Sequence, residues 1–172
     1  MRIIAGRWAN RDLTSPGGRV RPTAEPVRDL CLHLVRHDLD DARVLDLFAG
    51  TGALGLEALS RGAARCDFVE NGPAALHSLK ANVAALRVRK RSRVFDRDAI
   101  PFVHRLPAGA YDIAFADPPY GSKKLDRVVE RWLEAPFARV LCLEHAPDHE
   151  LPLKGMTRRL EESAVTLLRS RT

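Results

Sequence analysis

The tetrapeptide Asp117-Pro118-Pro119-Tyr120 places a carboxylate, two carbonyls without neighbouring donors and an aromatic ring in one short turn. Proline fixes φ and carries no N–H, so such a turn is rigid and its carbonyls face outward. An exocyclic amine on a planar base needs this arrangement, because its lone pair stays delocalised into the ring until two acceptors grip its hydrogens. Asp117 and the Pro118 carbonyl can be those acceptors, Pro119 stiffens the turn, and Tyr120 can stack on the base face. The chemistry this allows is methyl transfer to the amine, for which positioning supplies roughly 7 to 11 kcal/mol of barrier lowering. A plain proline-rich turn after a buried strand is the bland alternative.

A second candidate lies upstream. Residues 44–55 read as an apolar strand carrying Asp46, then Phe48, then a turn with Gly50 and Gly52, then a helix start at Ala53 and Gly55. The spacing Gly50-x-Gly52-x-x-Gly55 satisfies the dinucleotide fingerprint, and Glu70 ends the next strand, where an acid would take ribose hydroxyls. Asp46 argues against a pyrophosphate, which would meet its negative charge. S-adenosylmethionine suits the set better: its ammonium fits the Asp46 region, its ribose fits Glu70, and Asp98-Ala99 after the third strand can take the adenine. Both ligands stay open on the loop alone, and the Asp-Pro-Pro-Tyr turn favours the methyl donor.

These motifs act together only if the elements bring them side by side. From residue 43 onward, β-like runs alternate with helical patterns, which predicts an α/β fold with a mostly parallel sheet and helices on both faces. Strands are expected over 43–48, 66–70, 93–96, 112–116 and 140–144, and helices over 53–61, 73–87 and around Leu125 to Leu133. Residues 157–160 and 164–169 are expected to form a C-terminal antiparallel hairpin. Residues 1–22 break the alternation and are expected to form an extended basic arm ahead of a single domain over 23–172. Thr23 is expected to cap a helix with the apolar stripe Val27, Leu30, Cys31, Leu34 and Val35.

The 172 residues fit one domain, and no run approaches the ~18 apolar residues of a membrane helix. A cytoplasmic monomer with no membrane partner is expected. The 3 cysteines show no CxxC spacing and are expected to be small buried hydrophobes. His33 and His37 lack a third ligand, so no metal is expected. Lys and Arg number 28 against 22 acids, a net charge of +6. The excess gathers in residues 1–37 and 87–97, which points to a polyanionic partner unless these are merely solvated faces.

Across nearly its whole length the chain resembles the RsmD family of bacterial methyltransferases, which modify the N2 amine of a guanine in 16S ribosomal RNA. The matching residues are Arg2-Ile3-Ile4, Gly6, Trp8, Arg21-Pro22-Thr23, Val27-Arg28, the run Asp46 to Ala63, Glu70, Asp117-Pro118-Pro119-Tyr120 and Glu144. The resemblance implies a Rossmann-like sheet, S-adenosylmethionine as cofactor, and 16S rRNA or the small ribosomal subunit as partner. It also implies an RNA-holding arm, for which Arg7, Arg11, Arg21, Thr23 and Arg28 are the candidates. An adenine N6 methyltransferase acting on RNA or DNA, and a non-catalytic RNA-binding assembly factor, are the alternatives.

Overall fold

The alternating pattern builds a seven-stranded sheet in the computed structural model, which describes residues 1–17 and 23–171. The strands are β1 (Arg43–Leu47), β2 (Arg65–Glu70), β3 (Ser92–Asp96), β4 (Tyr111–Ala116), β5 (Ala138–His145), β6 (Met156–Arg159) and β7 (Ala164–Arg169). The helices are α1 (Glu25–Leu34), α2 (Ala53–Ser60), α3 (Pro73–Ala85), α4 (Ala99–His104) and α5 (Lys124–Glu134). Spatial order is β3-β2-β1-β4-β5-β7-β6. The first five strands run parallel, and β7 and β6 close the edge as an antiparallel hairpin. After β3 the chain crosses back over β2 and β1 to lay β4 on the other side of β1. This reversal opens a crevice at the carboxyl ends of β1 and β4, where α/β sheets bind ligands.

Period-two alternation divides the interior into two layers. Val44, Cys66, Phe68, Phe115 and Cys142 face α1, α2 and α3, while Leu45, Leu47, Ala114 and Leu141 face α4 and α5. The helices therefore cover both faces of the Rossmann-like sheet. All three cysteines are free and buried, the packing role their spacing suggests. Helix α2 ends near its expected stop, and Gly62 takes φ +120°, a conformation a side chain would strain.

The amino-terminal segment departs from the expected extended arm. Residues 1–13 fold back on themselves: Arg2 bridges Asp12, and the Ile3, Asn10 and Leu13 N–H groups donate across the loop to Arg11, Ile3 and Met1. Ile3 is fully buried and joins the same core as α2. The loop also closes the last turn of α2. The Ser60 carbonyl accepts the Arg7 N–H at 2.8 Å, and Ser60 Oγ accepts from the Trp8 N–H at 3.0 Å. Gly6, at φ +85°, makes this approach possible, because an added Cβ would overlap the Ser60 carbonyl.

Candidate active site

Parallel register sets the site. Leu47 of β1 lies opposite Val69 of β2 and Ala116 of β4, and Ala116 lies opposite Leu143 of β5. The next residue along the chain in each case is Phe48, Glu70, Asp117 or Glu144, so these four lie along the carboxyl edge at the strand-order reversal. Residues as far apart in sequence as 48 and 144 share one edge because the register aligns the carboxyl ends of their strands.

The β1–α2 turn is built around two carboxylates. Asp46 is 2% exposed and its Oδ2 accepts the Gly55 N–H at 2.9 Å, so it braces the first turn of α2 from beneath. Burial pushes its carboxyl well above the usual range, reinforced by the negative charges of Asp117 and Glu70. Those same two charges tie the glycine turn and the proline turn to one electrostatic site. Glu70 accepts Gly50 N–H at 2.8 Å, Asn71 N–H at 2.9 Å and Gly72 N–H at 2.7 Å, which fixes its carboxylate against the glycine turn.

The two glycines have different duties. Gly50, at φ +57°, has nothing within 4 Å of where a Cβ would stand, so the outer side of the turn is open to a ligand. Gly52, at φ +80°, is turned inward, where a Cβ would strike Leu79 of α3. Its lack of a side chain serves packing and backbone conformation; it does not clear the ligand's approach. Beside the turn, Phe48, Glu70, Asp98 and Ala99 share one narrow cleft with Asn71, Arg97 and Lys124. Asp98 also caps α4, accepting the Ile100 N–H at 3.2 Å, and Ala99 is buried.

At the end of β4, Asp117 Oδ2 accepts the Thr23 hydroxyl at 2.6 Å. Pro118 is buried, while Pro119 is exposed and its carbonyl accepts from Ser122 Oγ at 2.8 Å. Tyr120 is 46% exposed, and its hydroxyl donates to Glu144 Oε1 at 3.1 Å. Partial burial and the Glu144 charge push the phenol up to about 12, so it stays a donor. Among the described residues, no group of acids, histidines and cysteines could hold a metal ion.

The residues expected to hold RNA disperse. Arg7 and Arg11 are exposed on the amino-terminal loop. Arg21 lies outside the described residues. Thr23 leaves α1 uncapped by any side chain and reaches Asp117 instead. Arg28 is a correction: its side chain is fully buried, 3.7 Å from Glu57, and donates to the Arg2 carbonyl at 2.6 Å. A guanidinium so enclosed cannot meet a phosphate. One sequence signal pointed to it: Glu57 is the one charged residue of an otherwise apolar α2 that ends at Ser60, and a carboxylate there needs a buried cation. Sequence reasoning also missed Asn82, whose amide donates to the Thr14 carbonyl at 2.9 Å and the Thr51 carbonyl at 3.0 Å. Its polarity inside the α3 stripe was the available sign.

Comparison with known proteins agrees with this geometry. Residues 1–160 match the family described as conserved hypothetical protein 95. The chain is 34% identical over 159 residues to the YlbH protein of Bacillus subtilis, covering 88% of this chain and 86% of that protein. It is 38% identical over 132 residues to ribosomal RNA small subunit methyltransferase D of Escherichia coli K12, a match spanning 75% of this chain and 65% of that protein. Among solved structures, a hypothetical protein of Thermus thermophilus superposes with a TM-score of 0.83 at 29% identity, covering 99% of both chains. The chain therefore belongs to the conserved hypothetical protein 95 family, the RsmD family, whose relatives include ribosomal RNA small subunit methyltransferases.

Proposed function

We propose that this chain transfers a methyl group from S-adenosylmethionine to the exocyclic N2 amine of a guanine in 16S ribosomal RNA. The observation that carries the reading is the row Phe48, Glu70, Asp117 and Glu144, which sets a nucleoside cleft beside a rigid amine-gripping turn. The residues present fit the methyl donor: Glu70 suits ribose hydroxyls, Phe48, Asp98 and Ala99 suit an adenine, and the open side of Gly50 admits a backbone-close ligand. Bound there, that donor supplies an electrophilic methyl carbon on a cationic sulfur. The Glu70 and Asp117 carboxylates give the surrounding cleft the complementary sign.

The chain's own residues do the rest. Asp117 and the Pro118 carbonyl accept the two amine hydrogens, which turns the nitrogen lone pair out of conjugation, and Asp117 is placed to take the proton the nitrogen loses. Thr23 orients that carboxylate, and the Tyr120 ring offers a face for a base drawn out of its stack. Negative potential from Asp117 and Glu144 favours guanine, whose N1–H and N2 amine are adjacent donors. Adenine would present its N1 acceptor to the same charges. Exposed Arg7 and Arg11 and the net charge of +6 support an RNA partner. Nucleoside mass spectrometry after reaction with 16S rRNA or small subunits is expected to show N2-methylguanosine, abolished by Asp117→Ala. Methyladenosine, or an undiminished rate in the variant, would overturn the assignment.

A further inference from the structure

A second concavity is at the other end of the molecule. It encloses about 490 Å³ and is walled by Arg7, Trp8, Arg11, Arg87 and Arg91 over an apolar floor from the end of α3. Four of its lining residues are arginines and none is acidic. Arg7, Arg11 and Arg87 make no ion pair among the described residues, although acids neutralise other surface cations such as Arg43, Arg61, Arg93 and Arg169. The guanidinium groups of Arg7 and Arg91 lie 5.7 and 5.3 Å from the centroid of the Trp8 ring. That contact helps to hold both forks in place, and Arg91 Nη1 also donates to the Ala63 carbonyl at 3.5 Å.

Such a cluster is costly without an anion. Four like charges around one hollow repel one another, and a fold that only needed solubility would intersperse acids. A guanidinium fork matches a phosphate oxygen pair, and several forks spaced around a hollow match successive phosphates of one strand. The location is equally informative. Arg7 sits on the carboxyl end of α2, Arg87 follows α3, and Arg91 immediately precedes β3. All lie at the amino-terminal edge of the sheet, and the proline turn is at the carboxyl edge. The 13 residues of α3 separate the two ends by about 20 Å.

We propose that this arginine-walled hollow is a second RNA contact, which holds the phosphodiester backbone of a segment away from the methylated nucleotide. It rests on the reading of the substrate as RNA, and it makes attachment two-point: one end grips the target base, the other a distant strand. The basic run at 87–97 thereby shares one role with the amino-terminal loop, and Trp8 joins the two.

The test compares the full chain with Arg87→Gln/Arg91→Gln, and with Arg87→Glu as a second variant, in binding to a 16S rRNA transcript over a salt series. Loss of two phosphate contacts is expected to flatten the slope of log K against log salt by about 1.4, at about 0.7 per single-strand contact. The same variant is expected to raise KM for RNA while kcat holds, with unchanged calorimetric affinity for S-adenosylmethionine. An unchanged slope and affinity in both variants, with methylation by the parent chain intact, would overturn the inference and leave the proposed activity standing. A parent chain that binds RNA with the expected slope but methylates nothing would sink the activity and leave the hollow's role in place.

Discussion

At Asp117 a threonine hydroxyl helps to set where the carboxylate points. Thr23 donates to Oδ2 at 2.6 Å from the segment just before α1, 94 residues away in sequence. Thr23→Val removes the donor with little change in volume. It is expected to lower kcat about 10-fold through lost orientation while leaving KM for RNA unchanged, and Thr23→Ser is expected to restore the rate. A raised KM with constant kcat would instead make Thr23 the RNA contact that its sequence position suggests. Tyr120 gives a pH signature of known sign. Its folded value, about 12, is above its ordinary value of 10 because burial and Glu144 disfavour the phenolate. The native state thus gains from the protonated form, fully so below pH 10, and loses that gain as pH rises from 10 toward 12. In denaturant unfolding, the stability deficit of Tyr120→Phe is expected to shrink over that window; a deficit constant to pH 12 would show that the Glu144 contact contributes nothing.

Helix α2 is where element and charge are most tightly bound together. Every residue of this helix is buried, including Glu57, whose carboxylate accepts the Ile4 and Ala5 N–H groups at 2.9 Å each and faces fully buried Arg28. Burial lowers the Arg28 guanidinium below its ordinary value, and Glu57 opposes that shift. Glu57→Ala would strand a buried cation and two backbone donors, so a loss of about 3–5 kcal/mol in denaturant unfolding is expected. A loss under about 1 kcal/mol would mean that water enters this site freely. Strand periods, the glycine turn and Asp-Pro-Pro-Tyr were legible in the sequence because each is a local pattern. The pairings Arg28–Glu57, Thr23–Asp117 and Asn82–Thr51 were not, since each joins residues that only the folded chain brings together. Reading Arg28 as surface charge followed from composition, which counts cations without knowing which face of α1 docks on α2.

Across the whole molecule, the amino-terminal loop is the part where the proposed RNA contacts and the packing of the fold coincide. An extended arm could be removed at the expense of RNA affinity alone. This loop cannot, because Ile3 and Leu13 join the main core, and neighbouring Thr14 shares Asn82 with the glycine turn. Asn82 accepts the Thr14 N–H at 2.7 Å and donates to the Thr51 carbonyl, so the segment after the loop and the glycine turn hang from one side chain. Deleting residues 1–13 would forfeit the burial of two apolar side chains, at about 1.5–3 kcal/mol each, and orphan the buried Glu57 acceptor. The expected result is a drop of several kcal/mol in unfolding free energy, together with weakened S-adenosylmethionine binding by calorimetry. If the truncated chain kept full cofactor affinity and the parent's denaturant midpoint, losing only its hold on RNA, the loop would be an appendage after all. Its burial against α2 would then carry no energetic weight, and the hollow beside Trp8 would have to be a surface independent of the fold that presents it.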